Sequence, residues 1–302
     1  MSSGFTKYRN DYLLLHFVVL LYGLTGILGK LISISAESLV WIRLLIAVAA
    51  LGADSLFTRK TIHGPGKNAA LIFITGAIIA GHWIFFYRSI KDAGVSIAVI
   101  CLAASTFFTA IAEPLFFKRR IRVFELLIGA SVILALYMMF MNELQLRNNL
   151  PWTGIGEGVL SAFLAAIFPV LNGKMMQHGE DPLTLSFWEL LSGLACLSIA
   201  LPAMGIALPN LTIISATDYV YLTILALLCT AFTFKANLRV MKNISPYTVV
   251  LSINLEPVYS ILIAWFVFRD EQMSIGFYAG TALIISLLFM NAWLRKKLFP
   301  VS

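Results

Sequence analysis

Glu256 and Arg43 are the residues whose type and placement point to chemistry. Glu256 stands near the middle of Ser245 to Phe268, an apolar stretch without Lys or Arg, and Arg43 lies within the apolar stretch Glu37 to Phe57. A carboxylate in hydrocarbon is costly and an arginine cannot shed its charge, so each needs water, an opposite charge or a ligand. On a helix, Ser252, Glu256, Tyr259 and Ile263 share one face, with Asn254 on its flank. Pro257, next to the glutamate, removes a backbone hydrogen bond at the same depth. This polar face reads as the wall of a ligand cavity. The bland alternative is a protonated Glu256 bonded to a neighbouring helix. Arg43 sits about six residues, or ~9 Å, inside the outer end of its stretch, where it either lines the cavity or snorkels to the surface. A small zwitterion would bridge the two, its carboxylate on Arg43 and its amine on Glu256.

Other polar residues fall at comparable depths. Glu189 and Lys235 lie near the inner end of their stretches. They form either an inner gate through a salt bridge or, with Lys235 reaching for water, no pair at all. His82 is a proton carrier or a hydrogen-bonded helix contact. Trp83 and Trp188 either wall the cavity or simply pack. Ser105 joins the set as the position that an internal repeat aligns with Glu256. Glu113 has the basic run Lys118 to Arg122 close by in sequence and reads as structural.

The elements that must hold these residues follow from composition. The chain is 60% hydrophobic and 12% charged, about half the charge of a soluble domain, which excludes an ordinary cytosolic protein. The net charge of +7 sits between apolar stretches, as membrane topology requires, so nucleic acid is set aside as a partner. Hydropathy gives ten spans, near residues 12–32, 37–57, 69–87, 93–117, 123–142, 153–173, 183–204, 217–238, 245–268 and 275–294. The run after Lys7 and Arg9 continues to Ile32 and reads as a membrane helix, not a cleaved signal. Cys101, Cys196 and Cys229 lack disulfide or metal spacing, and His16, His63, His82 and His178 are scattered. No motif calls for a metal or a cofactor, and none assembles an intramembrane enzyme.

The chain also repeats itself. Adding 151 to Arg88, Lys91, Val99, Phe117, Gly129, Ile133, Leu136 and Met139 lands on the same residue types without a gap. With offsets of 144 and 146, Gly29-Lys30 matches Gly173-Lys174 and Arg43 matches Glu189. The expected domains are residues 11–142 and 153–297, five spans each. An odd number of spans per half makes the repeats inverted, the plan of transporters that expose one central site to each side in turn. The fold class is therefore an all-α integral membrane protein of ten transmembrane helices in two inverted five-helix repeats. A channel is disfavoured by that symmetry.

Glu256-Pro257-Val258 through Phe268, followed by Asp270-Glu271, Gly276 and Gly280, resembles the EamA type of the drug/metabolite transporter superfamily. The resemblance spans nearly the whole chain. Thr106 departs from it where a proline is expected, and Arg120 aligns with Glu271. It implies export or exchange of small polar metabolites such as amino acids through a central cavity lined by both halves. The chain is expected in the plasma or inner membrane, with the oligomeric state open, and a proton carried by Glu256 is the candidate coupling ion. The nearest alternative is an exchanger of nucleotide sugars or triose phosphates, which would need more cavity cations than Arg43 and Lys235. Basic residues divide fifteen to five between the two faces, which places both termini in the cytoplasm. In a cysteine-free background, a membrane-impermeant thiol reagent applied outside cells is expected to label a cysteine at Arg147 and not one at Lys67. The reverse pattern would sink that orientation.

Overall fold

The computed structural model describes residues 2–145, 151–256, 258–259 and 274–298. Helices are the regular structure among the described residues: α1 Ser2–Leu31, α2 Ala36–Thr58, α3 Ala69–Ala93, α4 Val95–Phe116, α5 Val123–Gln145, α6 Trp152–Gln177, α7 Pro182–Ala203, α8 Ala216–Ala226, α9 Thr233–Val240, α10 Pro246–Ile253 and α11 Ile275–Leu298. A π-helical turn, Leu227–Phe232, joins α8 to α9, so Ala216–Val240 forms one interrupted span. Nine stretches among the described residues are long and apolar enough to cross a bilayer. Exposed Leu56, Phe57, Leu115, Ile199 and Phe289 contrast with buried Arg43, Glu189 and Glu256, the inside-out pattern of a lipid-facing surface. The last part of the ninth expected span, from residue 260 to 268, lies outside the described residues, as do Pro257 and Arg147.

Local chemistry starts the helices where the sequence changes from polar to apolar. Ser35, Asp181, Ser215 and Ser245 each accept hydrogen bonds from the first-turn amides of α2, α7, α8 and α10. Pro182 and Pro246 follow two of these caps, where a proline costs no hydrogen bond. Two interruptions were invisible to hydropathy. One is the π turn in the eighth span. The other closes α10, where the Asn254 and Leu255 amides reach back three residues, to Leu251 and Ser252. Pro257 has no N–H for the Ile253 carbonyl, which accounts for this tightening.

Glycines bring the two halves together. A Cβ on Gly76 of α3 would meet the Glu189 carbonyl of α7 and lie 2.7 Å from Ser192 Cβ, while one on Gly193 would lie 2.9 Å from the Gly76 carbonyl. Near the other end of α3, a Cβ on Gly158 of α6 would lie 2.9 Å from Ser89 Oγ of α3 and 2.7 Å from Cys101 Cβ of α4. Such close backbone approach is how helices associate where no hydrophobic effect drives them. Gly276 and Gly280 seat α11 against the carbonyls of Met138 and Ala135, so α11 runs antiparallel to α5.

A polar joint ties the α4–α5 turn to the second half. Arg119 Nη2 bridges Glu113 at 3.0 Å and Glu125 at 2.8 Å. Glu113 also accepts from the Tyr247 amide at 2.7 Å, and the Tyr247 hydroxyl donates to the Glu125 carbonyl at 2.9 Å. Burial opposes the charge on Arg119, and the two carboxylates outweigh it, holding its pKa above the usual arginine value. Asn243 reaches Asp11 of α1 at 2.7 Å on this same face, called here the terminal face because α1 begins and α11 ends on it.

The α3–α7 crossing makes a direct prediction. Gly76→Val should destabilise the purified protein by about 1–3 kcal/mol through overpacking, read as a lower melting temperature in detergent. Gly64→Val, at a position with nothing within 4 Å, should leave it unchanged.

Candidate functional site

A buried cavity of about 90 Å³ lies where α1, α2, α3, α4, α6, the π turn, α9 and α10 converge. Arg43 and Glu256 both line it. Arg43 projects from α2, seven residues or ~10 Å past Ala36. Its Nε donates to Thr230 Oγ1 at 2.5 Å, Nη1 to the Tyr87 hydroxyl at 2.9 Å and Nη2 to the Cys229 carbonyl at 3.2 Å. The guanidinium carbon lies 3.9 Å from the centre of the Trp83 ring, a cation–π contact. All of these partners are neutral. They orient the cation without cancelling it, which leaves its charge available to an anionic group.

Two of them come from the π turn. The Thr230 hydroxyl donates to the Leu225 carbonyl five residues back, at 2.7 Å, and so presents its lone pairs to Arg43. A π turn in a membrane span is a frequent mark of a working site. Opposite, Glu256 Oε1 accepts from Thr25 Oγ1 of α1 at 3.1 Å. Trp83, Phe86, Phe168 and Phe234 supply an aromatic wall, with Phe168 and Phe234 stacked at 6.5 Å. Pro169 of α6 also faces the cavity and withholds a donor from the Ala165 carbonyl, another lining residue.

Arg43, His82, Trp83, Ser105 and Glu256 are thus gathered in one place. His82 Nδ1 lies 2.8 Å from Ser161 Oγ and 3.0 Å from its carbonyl, a helix-to-helix contact at the cavity edge. Other expected residues point elsewhere. Asn254 donates to Thr106 Oγ1 at 2.7 Å, tying the end of α10 to α4. The Tyr259 hydroxyl lies 3.0 Å from His16 Nδ1. Trp188 does not wall the cavity; its Nε1 donates to the His63 carbonyl at 2.7 Å. The expected Glu189–Lys235 pair is replaced by another, since Lys235 Nζ is 2.7 Å from Asp54 Oδ2 of α2. Glu189 is wholly buried, away from that pair. Sequence reading passed over Tyr87, Thr230 and Thr25. A tyrosine one turn beyond Trp83 was the available signal for the first, and the threonines had none.

A second, wider hollow of about 670 Å³ opens at the terminal face. Asp11, Asp54, Lys60, Lys235, Arg239 and Lys242 give it charge of both signs. The opposite face carries polar contacts between helix ends. There the Ser33 amide and hydroxyl donate to Asp218 at 2.9 and 2.6 Å, Arg88 pairs with Glu37, and Ser89 bonds the Gly154 carbonyl at 2.7 Å.

A multi-pass helical bundle with an acid, a base and aromatic rings around one enclosed cavity is the class of protein these features define. The EamA-like transporter family matches it at residues 10–141 and again at 152–293, once per half, and the chain belongs to that family. It is therefore a membrane transporter built from two EamA repeats, not an enzyme. A solved crystal structure superposes with a TM-score of 0.76 over 96% of this chain and 99% of its own, at 14% identity, a likeness of fold alone. Comparison with curated proteins found no match.

The revised pairing is testable by double-mutant cycles on transport and stability. Asp54 and Lys235 should show a coupling of about 0.2–1 kcal/mol, as expected for a half-exposed pair, and Glu189 with Lys235 should be additive. Coupling in the second cycle and none in the first would restore the original gate.

Proposed function

We propose that the chain is a secondary transporter that exports or exchanges a small zwitterionic metabolite of the amino-acid class by alternating access. The observation that carries this reading is the presence of Arg43 and Glu256 on one cavity, with the cation held by neutral partners. Arg43 takes the substrate carboxylate, and its fork suits that group. Glu256 takes the amine. The aromatic wall receives an uncharged side chain, since no further cation or anion lines the cavity among the described residues. A phosphate-bearing substrate is disfavoured, because a single arginine is a poor match for two or more negative charges.

In this reading the two repeats are inverted, with five spans each and both termini in the cytoplasm. The hollow at the terminal face is the inward entrance, and the contacts through Ser33 and Glu37 are the closed outer seal. A proton is the coupling ion.

The test is uptake into proteoliposomes from a panel of labelled amino acids, other zwitterions and phosphorylated metabolites. An amino-acid-like cargo should be carried. Glu256→Gln should lower its transport at least tenfold with insertion and melting temperature preserved, and Arg43→Lys should do the same because a point charge does not replace the fork. Unaltered transport in both well-folded variants would remove these residues from the binding site.

A further inference from the structure

We propose that Glu189 is the proton-binding site of this transporter, separate from the substrate cavity. The inference rests on the transport function proposed above and names where its coupling ion binds.

Glu189 lies on α7 with 0% exposure, seven residues or ~10 Å from the Pro182 end. Asn172 of α6, 1% exposed, is the polar side chain beside its carboxyl group. Both carboxyl oxygens and Asn172 Oδ1 lack a hydrogen-bond partner among the described residues. A carboxyl group buried with neither oxygen hydrogen-bonded is costly as an anion. A hydrogen on one Glu189 oxygen removes that charge and with it the larger part of the cost of burial.

Among the described residues no cation bonds the Glu189 carboxyl group. Lys235 of α9 bonds Asp54 of α2, Arg43 of α2 bonds Thr230 and Tyr87, and His82 of α3 bonds Ser161. Nor does the site suit a metal ion, which would want about six oxygens where a carboxyl and one amide are at hand. Glu189 also does not line the cavity, whereas Glu256 does and is used by the substrate amine. A proton on Glu189 can therefore stay while substrate comes and goes.

The position explains how the proton would be felt. The Glu189 carbonyl lies against Gly76 at the closest crossing of the two halves, and Asn172 is three residues beyond the cavity proline Pro169. Release breaks the Oε–H bond, leaves the electron pair on the carboxylate and passes the proton to water. That charge can be solvated only if the α3–α7 or α6–α7 contact parts towards the terminal hollow, which already reaches Leu183 near the start of α7. Rebinding from water restores the closed crossing.

The experiment uses the full chain in proteoliposomes with a transported amino acid, reading gradient-free exchange, uptake driven by an imposed pH gradient, and the infrared carbonyl band of protonated carboxyl groups. Glu189→Gln copies the shape of the protonated acid and can still donate to Asn172. It should keep exchange within about twofold, lose at least tenfold of the pH-driven acceleration, and lose one protonated-carboxyl band. Persistent pH drive or an unchanged band would overturn the assignment, as would acceleration by a sodium gradient that vanishes in the variant. If wild type shows no exchange of any zwitterion, the substrate reading fails, and the infrared band still decides whether Glu189 carries a proton. Should Glu189→Gln not insert, Glu189→Asp withdraws the acid from Asn172 and should shift the pH optimum of driven uptake without changing exchange. An unshifted optimum would count equally against the proposal.

Discussion

An arginine that cannot lose its charge is buried in the membrane interior, and much of the surrounding structure is a response to that constraint. Arg43 is 3% exposed, so its donors must be met by protein or ligand. Tyr87 and Trp83 of α3 approach from one side, and Thr230 and the Cys229 carbonyl from the other. Because these groups are neutral, they satisfy much of the guanidinium's hydrogen bonding without cancelling its charge.

The second constraint is that the halves must pack together without exposing backbone to lipid. Glycine at the α3–α7 crossing gives close contact without interlocked side chains. The polar joint of Glu113, Arg119, Glu125 and Tyr247 does the opposite, fixing one turn of the first half to the start of α10. One contact is smooth and one is pinned.

Sequence made legible what depends on polarity along the chain. Spans, the repeat and five of the cavity residues announce themselves in the pattern of polar and apolar positions. Depth, however, is one coordinate of three. Lys235 and Glu189 were matched by height above the same face, but α9 turns Lys235 towards Asp54 of α2. Trp188 failed for the same reason, since its position along α7 says nothing about which neighbour its indole meets. Asn254 was assigned from a regular helical period that the tightened turn after Ile253 does not keep. The π turn was illegible altogether, because LLCTAF is as apolar as its surroundings and its meaning lies in hydrogen-bond geometry.

That turn also sets the phase of everything after it. A π turn carries one residue more than the α-helical turn it replaces, and each residue of an α-helix advances the side chains by about 100°. Phe234 and Asn237 face the cavity, and Lys235 and Arg239 the terminal hollow, because that extra residue has been counted in. The α9 segment is thus clocked against α8 by a single amino acid. Insertions and deletions are tolerated in loops; here a change of one residue inside an unremarkable apolar run would exchange the wall of the cavity for the lining of the terminal hollow.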